Sequence, residues 1–204
     1  MYLYDHEDPM ESKNKYIVLP VGLMSTTAMA GIAGRYMDKY PWFAKGYYNA
    51  LGRNELNYNS ETTVIEPGFS ALPDDPHKWI YLWPVRYSYN GSLMLSSMVR
   101  TFDNIISRLN NMLGHTADPW VVNKRVTFIS PDGGDDVINT ENYKEDLMLN
   151  SFIPKLTELN PAVPYDIYMP EAVEKYNRII SKDILTAEEV AELEEMENPH
   201  AYGI

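Results

Sequence analysis

Three aspartates in "PDGGDD", Asp132, Asp135 and Asp136, stand beside Gly133 and Gly134 and offer the hard oxygen ligands that calcium or magnesium prefers. Their spacing is not that of an EF-hand, and the glutamate that closes such a loop is missing, so a polar hairpin turn is the expected role. The adjacent pairs Asp74-Asp75 and Asp135-Asp136 could act as general acid and base if folding carried them into a pocket. Adjacent aspartates are more commonly turn residues. The four histidines, His6, His77, His115 and His200, have no pair at i+3, i+4 or i+5, and there is no HExxH. For nucleophilic chemistry the nearest run to G-x-S-x-G is "PGFSAL", which lacks the second glycine. "GIAGRY" supplies one glycine pair and so falls short of a dinucleotide fingerprint. The expectation is no catalytic residue, no metal and no cofactor.

"KWIYLWPVRYSYNG" carries the remaining candidate. On an extended chain Trp79, Tyr81, Trp83, Tyr87 and Tyr89 share one side with Val85. Nucleic-acid stacking surfaces combine aromatics with positive charge, and here only Lys78 and Arg86 are near, on the other side. A sugar site stays open, but a packing face is the simpler reading. Ile80 and Leu82 make the first half apolar on both sides, while Arg86, Ser88 and Asn90 leave the second half polar on one. Pro84 cannot donate to a ladder, which predicts an edge or a bulge at that point. Something must cover the aromatics, either the chain's own long helix or another subunit.

The elements that would position these residues are legible in outline. Tyr16 to Val21 reads as a strand, Gly22 breaks it, and Ser25 or Thr26 can cap a helix whose apolar positions run from Met29 to Tyr40. Pro41 opens a second helix through Leu51, and Gly52 ends it. A short strand around Thr62 to Glu66 precedes the aromatic strand, Trp79 to Tyr89. "SLMLSSMVRTFDNIISRLNNMLG" repeats apolar residues at helical spacing, with Leu95, Phe102 and Leu109 seven apart. Val121 to Ile129 is a further strand, "TENYKEDLMLNSF" a further helix, and the three prolines of "NPAVPYDIYMP" predict an extended connector. Thr186 to Glu189 forms a capping box. After it Val190, Leu193 and Met196 make a thin apolar stripe among glutamates, too narrow to hold without a partner.

A chain of 204 residues buries enough surface, roughly 70% of that exposed when unfolded, to fold without staples. With no cysteine it has no disulfide and no thiolate chemistry. The leader "MYLYDHEDPMESKNK" has no apolar stretch after a basic start, so it is not expected to be a secretory signal. Residues 16–34 carry no charge, yet their prolines, glycines and hydroxyls favour a buried strand and helix over a membrane span. Net charge is −12 and sits unevenly, with ten acids and three bases from Asp166 to Ile204. Such a balance disfavours a surface that tracks phosphates.

In general character the chain resembles virion proteins of tailed bacteriophages of the head-to-tail connector and tail-ring type. The resemblance rests on size, absence of cysteine, abundant Asn and Tyr, and proline-punctuated arms ("MYLYDHEDPMESKNK", and "NPAVPYDIYMP" onward). It carries over no functional residue. It implies a non-enzymatic structural protein of the virion, assembled in the host cytoplasm. Such a protein forms a homo-oligomeric ring, contacts neighbouring virion proteins and passes DNA through an acidic channel, with no membrane partner. The expected fold class is α+β, a small mixed or antiparallel sheet packed against a long amphipathic helix. The expected division is a polar arm at 1–15, a core domain at 16–160, and a connector with an acidic helical arm at 161–204. Trp79, Tyr81, Trp83, Tyr87, Tyr89, Val190, Leu193 and Met196 are the expected interface residues. The alternative is a small enzyme or ligand-binding protein with an aromatic and carboxylate pocket; a third reading is an acidic DNA mimic.

Overall fold

"YIVLPVG", Tyr16–Gly22, is buried along its whole length. A strand covered on both faces needs apolar residues at every position rather than at alternate ones, which places this one inside a sheet with helices on each side. The computed structural model describes residues 2–4, 8–23, 31–57, 63–66, 78–86, 95–114, 124–131, 152, 154–168 and 186. Six strands form one sheet: β1 (Tyr2–Tyr4), β2 (Tyr16–Gly22), β3 (Val64–Ile65), β4 (Trp79–Arg86), β5 (Val126–Ile129) and β6 (Tyr165–Tyr168). Their order across the sheet is β1-β6-β5-β2-β4-β3. Among the described residues three helices flank it: α1 (Gly31–Lys39), α2 (Pro41–Gly52) and α3 (Leu95–Leu109), the last running on into a π-helical turn at Asn110–Gly114.

The sheet is mixed, but only β3 pairs antiparallel; the pairs β1–β6, β6–β5, β5–β2 and β2–β4 are all parallel. The mixed sheet agrees with the sequence reading, but its mostly parallel pairing makes the architecture α/β and not the expected α+β. Parallel neighbours need crossovers of a dozen residues or more, and between β2 and β4 the crossover carries α1 and α2. The run "NPAVPYDIYMP", expected as a connector, contains β6. Its prolines flank the strand instead of interrupting it, and the Pro164 carbonyl accepts from the amide of Val126 at 2.9 Å.

Alternation divides the core. Val18, Tyr81, Trp83, Val85, Val126, Phe128 and Ile167 face α3, which buries Met98, Phe102, Ile105, Ile106 and Leu109 against them. Trp83 and Phe152 stack edge-on at 4.8 Å, and Phe102 lies 4.9 Å from Trp83. Ile17, Leu19, Ile80, Leu82 and Ile129 point the other way, onto Tyr36, Phe43 and Tyr47 of α1 and α2. Each large apolar side chain buried in this way contributes about 1.5–3 kcal/mol. Trp83 Nε1 donates to the Met98 carbonyl at 3.1 Å, so its polar edge is satisfied as well.

Pro84 sits where its missing N–H costs nothing. The amide of Leu82 points outward to Thr63 at 2.9 Å, whereas that of Trp79 points inward to Lys15 at 2.7 Å. Pro84 has the parity of Leu82, so its nitrogen faces away from β2, past the end of β3. The β2–β4 register slips beside it, between Val21 and Gly22.

A polar seam closes the opposite end of the sheet. Ser12 and Thr127 share a 2.7 Å hydrogen bond, and Asn14 Nδ2 donates to Thr127 and to Asp166 Oδ2, both at 2.9 Å. Asp166 also pairs with Arg125. Lys78, 1% exposed, donates to the carbonyls of Ser12 at 2.7 Å and Asn14 at 3.0 Å. These bonds hold Ser12 and Asn14 against β5, β6 and the start of β4.

Candidate functional site

Parallel strands bring their carboxyl ends to one edge: Gly22 of β2, Arg86 of β4, Ser130 just past β5, and Tyr168 of β6. From β2 the chain goes by α1 and α2 to β3 and β4 on one side. From β5 it goes to β6 on the other. The strand order thus reverses between β2 and β5, and open α/β sheets bind ligands in the crevice that such a reversal leaves at the carboxyl edge.

The walls of this crevice are pinned by buried groups. The Tyr47 hydroxyl, on α2, donates to the Gly22 carbonyl at 2.6 Å. Burial pushes its phenol far above the ordinary tyrosine range, so it remains a proton donor. The Leu23 amide donates to the Arg86 carbonyl at 3.1 Å, and the Ser130 amide to Tyr168 at 2.9 Å. Ser130 is buried, and its hydroxyl has no hydrogen-bond partner among the described residues. Arg86 is also buried, which puts a fixed positive charge at the end of β4.

α1 is the next described helix after β2 and packs against β2 and α2. Its first turn is Gly31-Ile32-Ala33-Gly34, with no acidic residue. The first amides of a helix lack internal partners and carry the positive end of the dipole, which suits an anion such as a phosphate. An open groove of about 480 Å³ lies elsewhere, between α2 and β3, lined by Trp42, Lys45, Asn49, Arg53 and Glu66 among others. It flanks the part of β3 that pairs with Ile80 and Tyr81, in the first half of β4, and not the carboxyl edge.

Of the residues singled out in the sequence, Tyr81 and Trp83 are fully buried beneath α3, and Trp79 is half-buried against the same cluster. Their cover is the chain's own helix. Tyr87, Tyr89, Val190, Leu193 and Met196 lie outside the described residues, as do the four histidines and the paired aspartates. Among the described residues no group of three or more acidic or histidine side chains could hold a metal ion, and no helix is long and apolar enough to cross a membrane. The residues that line the crevice were missed. The available signal is "GIAG", a glycine pair that opens the helix next in the chain after a buried strand, and it falls short of a dinucleotide fingerprint.

No family model matches the sequence, and no curated protein matches it either. Solved structures do. The macrodomain of Mycobacterium tuberculosis DarG superposes with a TM-score of 0.61 at 19% identity, over 81% of this chain and 95% of that one. Thermosipho africanus DarTG in complex with ADP-ribose gives 0.60 at 15% identity, over 80% of this chain and 40% of that one. The macrodomain of Thermus aquaticus DarG gives 0.56 at 10% identity, over 80% and 93%.

These likenesses correct the resemblance to bacteriophage connectors and tail rings, and with it the expectations of a structural ring protein, of a non-enzyme and of a place in the virion. They bring no virion partner either. Size, composition and proline-rich arms describe a chain's style but do not determine which distant strands pair, and pairing is what defines this topology. The chain has the macrodomain fold.

Proposed function

We propose that this protein binds ADP-ribose, free or as an ADP-ribosyl group on a larger molecule, in the crevice at the carboxyl edge of the sheet. Two observations together support this reading. The strand order reverses between β2 and β5, and the fold is shared with a protein solved in complex with ADP-ribose. The chemistry available there suits such a ligand. The amides of the first turn of α1 are a seat for the diphosphate. Arg86 adds positive charge in a chain that is otherwise acidic, and the Ser130 hydroxyl is a buried polar group with no partner among the described residues. A second reading, hydrolytic release of the ADP-ribosyl group, draws on Asp132, Asp135 and Asp136, which follow Pro131 in the chain and could activate a water.

Titration calorimetry with ADP-ribose, ADP and AMP tests the first reading. Saturable binding of ADP-ribose, tighter than AMP, is the expected result, with a rise in melting temperature that grows with ligand concentration. No heat and no thermal shift at millimolar ADP-ribose would overturn it. Release of free ADP-ribose from an ADP-ribosylated peptide or oligonucleotide decides the second reading.

A further inference from the structure

The peptide between Gly22 and Leu23 is held from both sides. Its carbonyl accepts from Tyr47 at 2.6 Å, and its N–H donates to Arg86 at 3.1 Å. In a trans peptide these two groups point in opposite directions, so one anchor on α2 and one on β4 fix the plane between them. Without the first anchor the plane could turn by rotation about Gly22, where the absence of a Cβ makes such rotation easy. This is the last peptide of β2 before the chain leaves the sheet at the crevice. The β2–β4 register slips at the same point, so regular ladder bonding does not hold it. Tyr47 is fully buried, its ring centroid 6.4 Å from that of Phe43 and 5.4 Å from that of Tyr48, and packing this close restricts the ring to its rotamer.

Resting on the ADP-ribose reading above, we infer that Tyr47 is a positioning residue of the site: its hydroxyl sets the plane of the Gly22–Leu23 peptide, which we take as part of the wall at the carboxyl edge of β2. The ligand then meets a wall that is already ordered. A variant lacking the hydroxyl must order that wall on binding, and the cost appears as lost affinity.

Tyr47→Phe keeps the ring and removes only the donor. In calorimetry at a temperature where both proteins are fully folded, the variant is expected to bind ADP-ribose about tenfold more weakly, the effect of one lost hydrogen bond. Replacement of Tyr47 by 4-aminophenylalanine, which keeps a para donor, is expected to restore most of the affinity. A purely structural tyrosine would lower the urea midpoint of Tyr47→Phe and leave its affinity unchanged, and that result overturns the inference. If Tyr47→Phe does not fold, amide exchange of Leu23 in the wild type takes its place. Protection in the free protein that changes less than about twofold with ADP-ribose supports a preset wall. Protection that appears only with ligand overturns it. Failure of the wild type to bind ADP-ribose sinks the functional reading instead, while the exchange of Leu23 without ligand still reports whether the peptide is preset.

Discussion

Trp83 and Met98 are joined across the sheet–helix boundary, the indole N–H donating to the helix carbonyl at 3.1 Å with both residues fully buried. This bond ties β4 to α3 at the centre of the aromatic cluster. Trp83→Phe removes the donor and leaves space beside Phe102 and Phe152. A loss of about 2 kcal/mol is expected, from the missing bond and the cavity together. Urea unfolding monitored by circular dichroism checks it, and an unchanged midpoint would mean that the indole is not packed in this way.

Gly31→Asp separates stability from binding. A carboxylate in the first turn of a helix is favourable by about 0.3–1 kcal/mol, so the variant should melt no lower than the wild type. The same charge repels a diphosphate at the start of α1. ADP-ribose affinity should fall at least about tenfold, read by calorimetry, and wild-type affinity would place the anion elsewhere.

Gly46 lets α2 lie against the sheet edge. A Cβ at this position would stand 2.6 Å from Cγ2 of Ile65. Alanine gains up to about 1 kcal/mol of helix propensity, but overpacking costs about 1–3 kcal/mol. Gly46→Ala is therefore expected to destabilise, by about 1 kcal/mol net. Ile65→Leu removes the clashing methyl, so the cost should shrink in that background, and denaturation of the four proteins of the double-mutant cycle measures the difference.

Alkaline pH should unfold this protein in a defined direction. Burial raises the phenols of Tyr36, Tyr47 and Tyr81 above their ordinary value of 10. Above pH 10 the unfolded chain gives up protons that the folded chain keeps. The unfolded state then binds fewer protons, and stability falls with rising pH. Each such tyrosine removes about 1.4 kcal/mol per pH unit in that window. Urea midpoints that stay flat to about pH 9 and drop beyond pH 10, with the share of tyrosinate absorbance that belongs to these buried phenols appearing only on unfolding, are the expected signature.

What the sequence made legible was local. The buried run of β2 and the proline-to-glycine span of α2 could be read from neighbouring residues, and so could the two-sided first half of β4, with Ile80 and Leu82 on one face and Tyr81 and Trp83 on the other. Parallel pairing could not be read, because Tyr16 pairs with Trp79 and Val126, and Tyr2 with Asp166, across separations that leave no local trace. β6 was hidden by the prolines around it. The crevice was hidden for a related reason. It is made by where strands end and which way their connections turn, and the residues on it, Gly22, Gly31 and Ser130, are small and carry no motif of their own.

The place of β6 between β1 and β5 has a consequence for how the chain comes to be folded. Tyr2–Tyr4 is made well before Tyr165–Tyr168, the strand it pairs with among the described residues. The seam made by Ser12, Asn14, Thr127 and Asp166 likewise needs both ends of the chain. β2 and β4 can meet during synthesis, but β1 has no place in the sheet until β6 arrives. Closure of that side is a late event, and contacts so distant in sequence are slow to form. Until then the outer edge of β5 stands unpaired, and this interval is when the newly made chain is most open to wrong partners.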